Sequence, residues 1–150
     1  MTRTRYHYRA IEYCGAGGAQ PWRIDMANSV KDLVAAANAV VPKITHEQAR
    51  KMMSEGNALV VDVRDANEVE SSGKIKGALN ISRGMLEFRA DPDSPYFDKS
   101  FEKNRPILVY CASGGRSALT GRVLQEFGYQ NVHNLGAFKD WVDSGGEIDR

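Results

Sequence analysis

The stretch Ile107-Leu108-Val109-Tyr110-Cys111-Ala112-Ser113-Gly114-Gly115-Arg116-Ser117 decides how this chain is read. Four apolar or aromatic residues in a row predict a strand buried on both faces, as in a parallel sheet. The run ends on a cysteine, a small Gly-rich loop follows, and a helical pattern begins beyond Arg116. Such a strand brings Cys111 to the carboxyl edge of the sheet, where open α/β sheets place ligands. Gly114 and Gly115 accept positive φ without steric cost, so the loop can fold back with its amide N–H groups pointing inward. The amides from Ala112 to Arg116, with the positive end of the next helix, lower a thiol pKa and cradle an anion. Arg116 is expected to add a fixed positive charge beside the sulfur. Ser117 is expected to cap the helix or to donate a hydrogen bond to the sulfur. The alternative is a buried structural cysteine before an ordinary turn. Strand, Cys, Gly-Gly, Arg-Ser and helix in one run favour the reactive thiolate.

Working outward, the Val-rich run at 58–63 predicts a second buried strand, bounded by Gly56-Asn57 and Arg64-Asp65. Asp62 and Arg64 are expected to form an ion pair that anchors its end. A short helix through Glu68–Ser71 ends at Gly73, and Ala78-Leu79-Asn80-Ile81 reads as a short strand. Residues 82–100 read as a long surface connection containing one helical turn. Downstream, a helix at 117–127 points Leu119, Val123, Leu124 and Phe127 inward and stops at Gly128. A strand at 132–135 and a helix at 137–142 complete the chain.

Upstream, Thr45-His46-Glu47-Gln48 is a capping box that opens a helix closed by Gly56. Before it, 29–40 is rich in helix formers, with Val30, Leu33, Val34 and Ala37 on one face and Pro42 as its limit. Strands separated by helical patterns of about ten residues imply right-handed crossovers. The fold class is α/β: an open parallel sheet of about four to five strands with helices on both faces. Residues 1–27 show no helical or strand period and are expected to be a disordered extension, with Met26 a second candidate start.

Composition narrows the function classes. At 150 residues the chain suits one domain with a proper core. A net charge of +1 gives no argument for nucleic acid or an anionic membrane surface. No apolar run approaches the ~20 residues that span a bilayer. Cys14 and Cys111 are too few for a disulfide scaffold, and with three scattered histidines they give no metal-ligand spacing. A free Cys111 thiol in a reducing cytoplasm is the simpler expectation, with Cys14 an incidental thiol.

The motifs as a set resemble the rhodanese-like sulfurtransferase family in its single-domain form. Cys111-Ala112-Ser113-Gly114-Gly115-Arg116-Ser117 resembles the family's active-site loop. Val60-Val61-Asp62-Val63-Arg64 with Glu68 resembles the first signature, and Gly73-Lys74-Ile75-Lys76-Gly77-Ala78 the stretch usually written Gly-His-Ile-x-Gly-Ala. Leu135-Gly136-Ala137-Phe138-Lys139-Asp140-Trp141 with Gly145 resembles the last. The resemblance implies a rhodanese-like domain at 28–150, with a leading helix at 29–40 and a catalytic core at 43–146.

It also implies a two-step chemistry. Cys111 takes sulfur from a donor such as thiosulfate or a persulfide, holds it as a persulfide in the 112–117 loop, and passes it to cyanide or a thiol. A protein persulfide is a further partner of that kind, and no metal or organic cofactor is required. Asp62 and Arg64 have a supporting role, and Arg83, Met85 and Leu86 form one wall of the pocket, because the family places this connection near the loop. Three departures stand out: Ala112 where many thiosulfate-using relatives have Arg, Lys74 for His, and Ala137 for Gly. The first removes a positive charge, so thiosulfate is expected to be a poor donor. Two rivals remain open: a rhodanese-like interaction or regulatory module without turnover, and a cysteine-dependent phosphatase. Dual-specificity phosphatases of this fold have five residues between Cys and Arg; here there are four, Ala112 to Gly115, a tighter cradle that favours a single sulfur.

Overall fold

The computed structural model describes residues 29–150. The expected extension at 1–27, and Cys14 within it, lie outside the described residues. In chain order the elements begin with α1 (Val30–Val40), α2 (His46–Ser54), β1 (Leu59–Asp62), α3 (Ala66–Ser72), β2 (Lys74–Ile75) and β3 (Leu79–Asn80). After a 3₁₀ turn at Arg83–Met85 come α4 (Leu86–Ala90), β4 (Ile107–Cys111), α5 (Gly115–Glu126), β5 (Val132–Ala137), α6 (Phe138–Asp143) and β6 (Ile148–Asp149).

Four strands form one sheet in the order β3-β1-β4-β5, every pair parallel. The α/β class and the helix-covered parallel sheet are therefore as read from the sequence. Every residue of β1 and β4 is buried, which is why both appear as unbroken apolar runs rather than alternating ones. The alternation survives as a division of the core. Ile107, Val109 and Cys111 face a cluster with Leu86, Phe101, Leu124 and Tyr129, while Leu108 and Tyr110 face Ala49, Leu135, Phe138 and Trp141. Cys111 thus projects from the sheet on the side that α5 covers.

Four local expectations are corrected. The connection at 82–100 is not merely a surface segment. Leu86 and Ala90 are fully buried, Phe101 follows them into the core, and the Tyr129 hydroxyl donates to Ala90 O at 2.6 Å. Its apolar residues insert singly, without the period that marks a helix. Helix α5 starts at Gly115 rather than Ser117, with Gly114 in the left-handed region (φ 95°) just ahead of it. Two consecutive glycines disguise a helix start that tertiary contacts impose.

The buried face of α5 is small, made by Ser117, Ala118, Thr120, Gly121 and Leu124, and Leu119, Val123 and Phe127 are only half-buried. That small face admits α1, which packs through Val34, Ala37 and Val41 against Gly115 and Gly121. Since α5 begins opposite Val34, the first turn of α1 overhangs it, and Val30 and Leu33 remain 69% and 43% exposed. Finally, β2 and β6 form a second, antiparallel sheet of two residues each, fastened by Lys74 Nζ to Asp149 Oδ2 at 3.3 Å. Two-residue strands carry no readable period.

Candidate active site

Strand β4 ends on Cys111, whose residue surface is wholly covered. The chain then turns through exposed Ala112 and Ser113 into the left-handed Gly114 and enters α5. A side chain at Gly114 would meet strain from φ alone, and its Cβ would lie 3.6 Å from Gly136 Cα. The turn aims the Gly114 amide at the sulfur, N to Sγ 3.0 Å. The backbone at Ser113 and Ser117 also favours the charged form of this sulfur. Ser117 belongs to the first turn of α5, whose N–H groups have no partner inside the helix, so they are free to face an anion. Burial alone pushes the Cys111 thiol up; the Ser117 hydroxyl and the amides of Ser117, Ser113 and Gly114 outweigh it, and the net direction is down. The arrangement lowers the cost of ionising this thiol relative to an ordinary cysteine.

Ser117 does not cap α5. Its Oγ lies 3.5 Å from Cys111 Sγ, 3.0 Å from Gly114 O and 2.7 Å from Asn134 Oδ1. Asn134 is buried on β5, where a bulge shifts the register with β4 between Val109 and Tyr110, so that Gly136 rather than Leu135 stands opposite Tyr110. The bulge turns the Gly136 N–H onto Asn134 Oδ1 at 3.0 Å.

Arg116 lies on the sulfur's side of the loop, but its charge is not free. Nη1 and Nη2 grip Glu68 Oε2 and Oε1 at 2.7 and 2.9 Å, and Glu68 also accepts the Asp65 amide. The Arg116 bond and then the Asp65 amide hold the Glu68 carboxyl at about 2. Asp62 and Arg64 sit beneath the loop as a buried pair (Nη2 to Oδ2 2.6 Å), with the guanidinium stacked 4.1 Å from the Phe138 ring centre.

Two cavities flank the loop. One of about 330 Å³ lies behind Ser113–Gly115, walled by Val34 and Asn38 of α1 and by Gly136. The other, about 410 Å³, is lined by Arg64, Asn67, Glu68, Ala112, Phe138 and Lys139. The residues expected to wall the pocket fall elsewhere. Leu86 is fully buried in the core, and Arg83 pairs with Glu87 at 2.7 Å. Met85 borders a separate cavity with Asp65, Asn80 and Arg89, to which no residue of 111–117 contributes. The wall beside the loop comes instead from α1, α3 and α6.

Asn134 and the pairing role of Glu68 are the site features that sequence reading missed. The strand at 132–135 gave no clear signal, since Asn134 shares it with a second polar residue, His133. Of the family departures, Ala137 has φ −90° and so needs no glycine. No group of three or more metal-ligating side chains occurs among the described residues.

A parallel sheet that delivers a cysteine into a backbone-amide loop at a helix start defines a rhodanese-type domain. Comparison agrees: the rhodanese-like domain family matches residues 45–144. The chain therefore belongs to the rhodanese-like family. The thiosulfate sulfurtransferase GlpE of Coxiella burnetii is 31% identical over 100 residues, 66% of this chain and 85% of that one. Among solved structures, the polysulfide-sulfur transferase homodimer of Wolinella succinogenes is 31% identical with a TM-score of 0.65, covering 79% of this chain and 85% of its own. A protein of unknown function from Rhodopseudomonas palustris CGA009, described as a possible tyrosine phosphatase, is 35% identical with a TM-score of 0.76, covering 89% and 100%.

Proposed function

We propose that the chain is a sulfurtransferase that carries sulfane sulfur as a persulfide on Cys111. The observation behind this reading is a buried sulfur at the end of β4 that accepts the Gly114 amide at 3.0 Å just ahead of the start of α5. In the first step the Cys111 thiolate attacks the outer sulfur of the donor. A sulfur–sulfur bond forms, the donor's own breaks, and the leaving group departs with the electron pair, as sulfite from thiosulfate or as a thiolate from a persulfide. In the second step a thiol or cyanide attacks the outer sulfur and Cys111 leaves as thiolate. The two steps need no net oxidant or reductant. The loop amides and the N-terminus of α5 hold the anionic outer sulfur between them.

Charge at the loop bears on the donor. Arg116 is committed to Glu68, and Ala112 supplies no charge, so the field is weak for a dianion. This favours a small-molecule or protein persulfide over thiosulfate. A reducing compartment such as the cytoplasm suits the free thiol. The phosphatase reading, raised by the R. palustris relative, is disfavoured by the four-residue spacing and by an arginine already occupied by a carboxylate. Asp62 and Arg64 support the loop from below.

The test is a donor and acceptor panel on the wild type, Cys111→Ala and Ala112→Arg, with mass spectrometry of the intact protein. Donor treatment is expected to add one sulfur to the wild type and none to Cys111→Ala, and Ala112→Arg to raise thiosulfate turnover several-fold. A Cys111 that stays unmodified under every donor would support an interaction module instead. Aryl phosphate turnover that disappears in Cys111→Ser would establish the phosphatase.

A further inference from the structure

Ser117 has one hydroxyl proton and three acceptors within reach: Asn134 Oδ1 at 2.7 Å, Gly114 O at 3.0 Å and Cys111 Sγ at 3.5 Å. Counting donors and lone pairs decides where it rests. Gly114 O already receives the Ala118 amide at 3.1 Å and Asn134 Nδ2 at 3.3 Å. Asn134 Oδ1 receives only the Gly136 amide, at 3.0 Å, and has one lone pair left. The Gly136 N–H can only donate, so it also fixes which end of the carboxamide faces Ser117. With the hydroxyl proton on Oδ1, every one of these groups is satisfied, and the Ser117 lone pair is open to the Cys111 S–H.

Ionisation of Cys111 upsets this closure. A thiolate accepts and cannot donate, so the hydroxyl must swing to Sγ to stabilise it, and Oδ1 of a 4% exposed side chain then loses a donor. A sulfur-loaded Cys111 carries its charge on the outer atom, so the hydroxyl returns to Asn134. We infer that Asn134 is a positioning residue that competes with the free thiolate for the Ser117 hydroxyl and so sets the proton affinity and nucleophilicity of Cys111. The consequence suits a carrier. The amides favour the ionised thiol, while competition from Asn134 limits over-stabilisation of the unloaded anion, whose nucleophilicity falls as its pKa falls. The inference rests on the sulfur-transfer reading only in taking Cys111 as the working thiol.

The charged groups around the loop are Arg116 on α5, its partner Glu68 on α3, the Asp62–Arg64 pair at the exit of β1, Lys139 on α6 beside Ala112, and Lys43 and Asp140 at the cavity behind it. Asn134 substitutions leave all of them in place, so a Ser117-dependent effect is separable from theirs. The experiment is a pH titration of thiolate ultraviolet absorbance, taken as the difference from Cys111→Ala in a Cys14→Ser background. It needs neither turnover nor reagent access to the sulfur, so failed sulfur transfer and a failed relay are distinguishable. Asn134→Ala is expected to lower the midpoint by about half a pH unit, roughly threefold in proton affinity, by releasing the hydroxyl to sulfur. Ser117→Ala is expected to raise it, and Asn134→Ala to have no further effect in the Ser117→Ala protein. Asn134→Asp, nearly the same shape, is expected to raise it by capturing the hydroxyl and adding a negative charge, and it carries the test if the alanine variant does not fold. A midpoint that Asn134→Ala leaves unmoved or raises, or lowers equally with and without Ser117, overturns the inference.

Discussion

Arg116 and Glu68 meet through two hydrogen bonds with both side chains about a third exposed, so the pair stands at the protein's surface. Their charges largely cancel at the distance of an incoming donor. Glu68→Gln keeps the shape and one acceptor but leaves the guanidinium charge uncompensated, so thiosulfate is expected to bind several-fold better, read as a lower KM with a smaller change in kcat. The same carboxylate has a pH signature. Its folded pKa is depressed from 4.5 to about 2, so its contribution to stability is complete above 4.5 and is lost as pH falls towards 2. Urea midpoints of wild type and Glu68→Gln are expected to converge as pH drops through that window, and parallel curves would refute the assignment. At this scale the Cys111 loop was legible because cysteine, glycines and helix start are adjacent in sequence. The Glu68–Arg116 and Ser117–Asn134 pairings were not, because their partners lie 48 and 17 residues apart and only the fold brings them together.

Among the helices, α1 and α5 pack closely enough to require glycine. A Cβ placed on Gly121 would stand 2.6 Å from Val41 Cγ1 and 3.0 Å from Cγ2. Val41 is β-branched and 1% exposed, so its methyls have no free rotamer into which to retreat. Gly121→Ala is expected to cost about 1–3 kcal/mol by overpacking, despite the better helix propensity of alanine. Val41→Ala in that background is expected to recover part of the loss, which a double-mutant cycle in urea would measure. The sequence pointed to a helix at 29–40 and to one after Arg116, since both are written in helix formers with ordinary stops. Val34 and Ala37 were legible as one face of α1, but the α5 side of the seam was hidden, because Gly115 and Gly121 offer no apolar stripe to read. The short β2–β6 pair was hidden for the opposite reason: its period is too brief to register, and its chain separation exceeds 70 residues.

At the scale of the whole molecule, one buried cation gathers the elements under the active loop. Arg64, at the exit of β1, binds Asp62 through Nε and Nη2, donates to Ser72 Oγ at 2.9 Å and to Gly73 O at 2.7 Å, and lies over the Phe138 ring. Beside it, the buried Tyr110 hydroxyl accepts the Ile75 amide at 2.9 Å, and burial, then Asp62, keep it protonated. The end of β1, the last turn of α3, β2, β4 and α6 are thereby tied at one point. A buried ion pair gains little over an apolar pair of equal volume, but breaking it by removing one member strands the other charge. Asp62 is 0% exposed, so Arg64→Leu would leave its carboxylate without a counter-charge in the interior, at an expected cost of about 3–5 kcal/mol in urea unfolding. Arg64→Lys is expected to rescue little, since an ammonium cannot reproduce the fork that reaches Asp62, Ser72 and Gly73 together. The double variant Asp62→Leu with Arg64→Leu removes both charges, so it is expected to be more stable than Arg64→Leu alone. A double variant that instead loses the sum of the two single losses would show that the pair acts through independent contacts and not as one buried knot, and the tie between sheet and loop would have to be sought elsewhere.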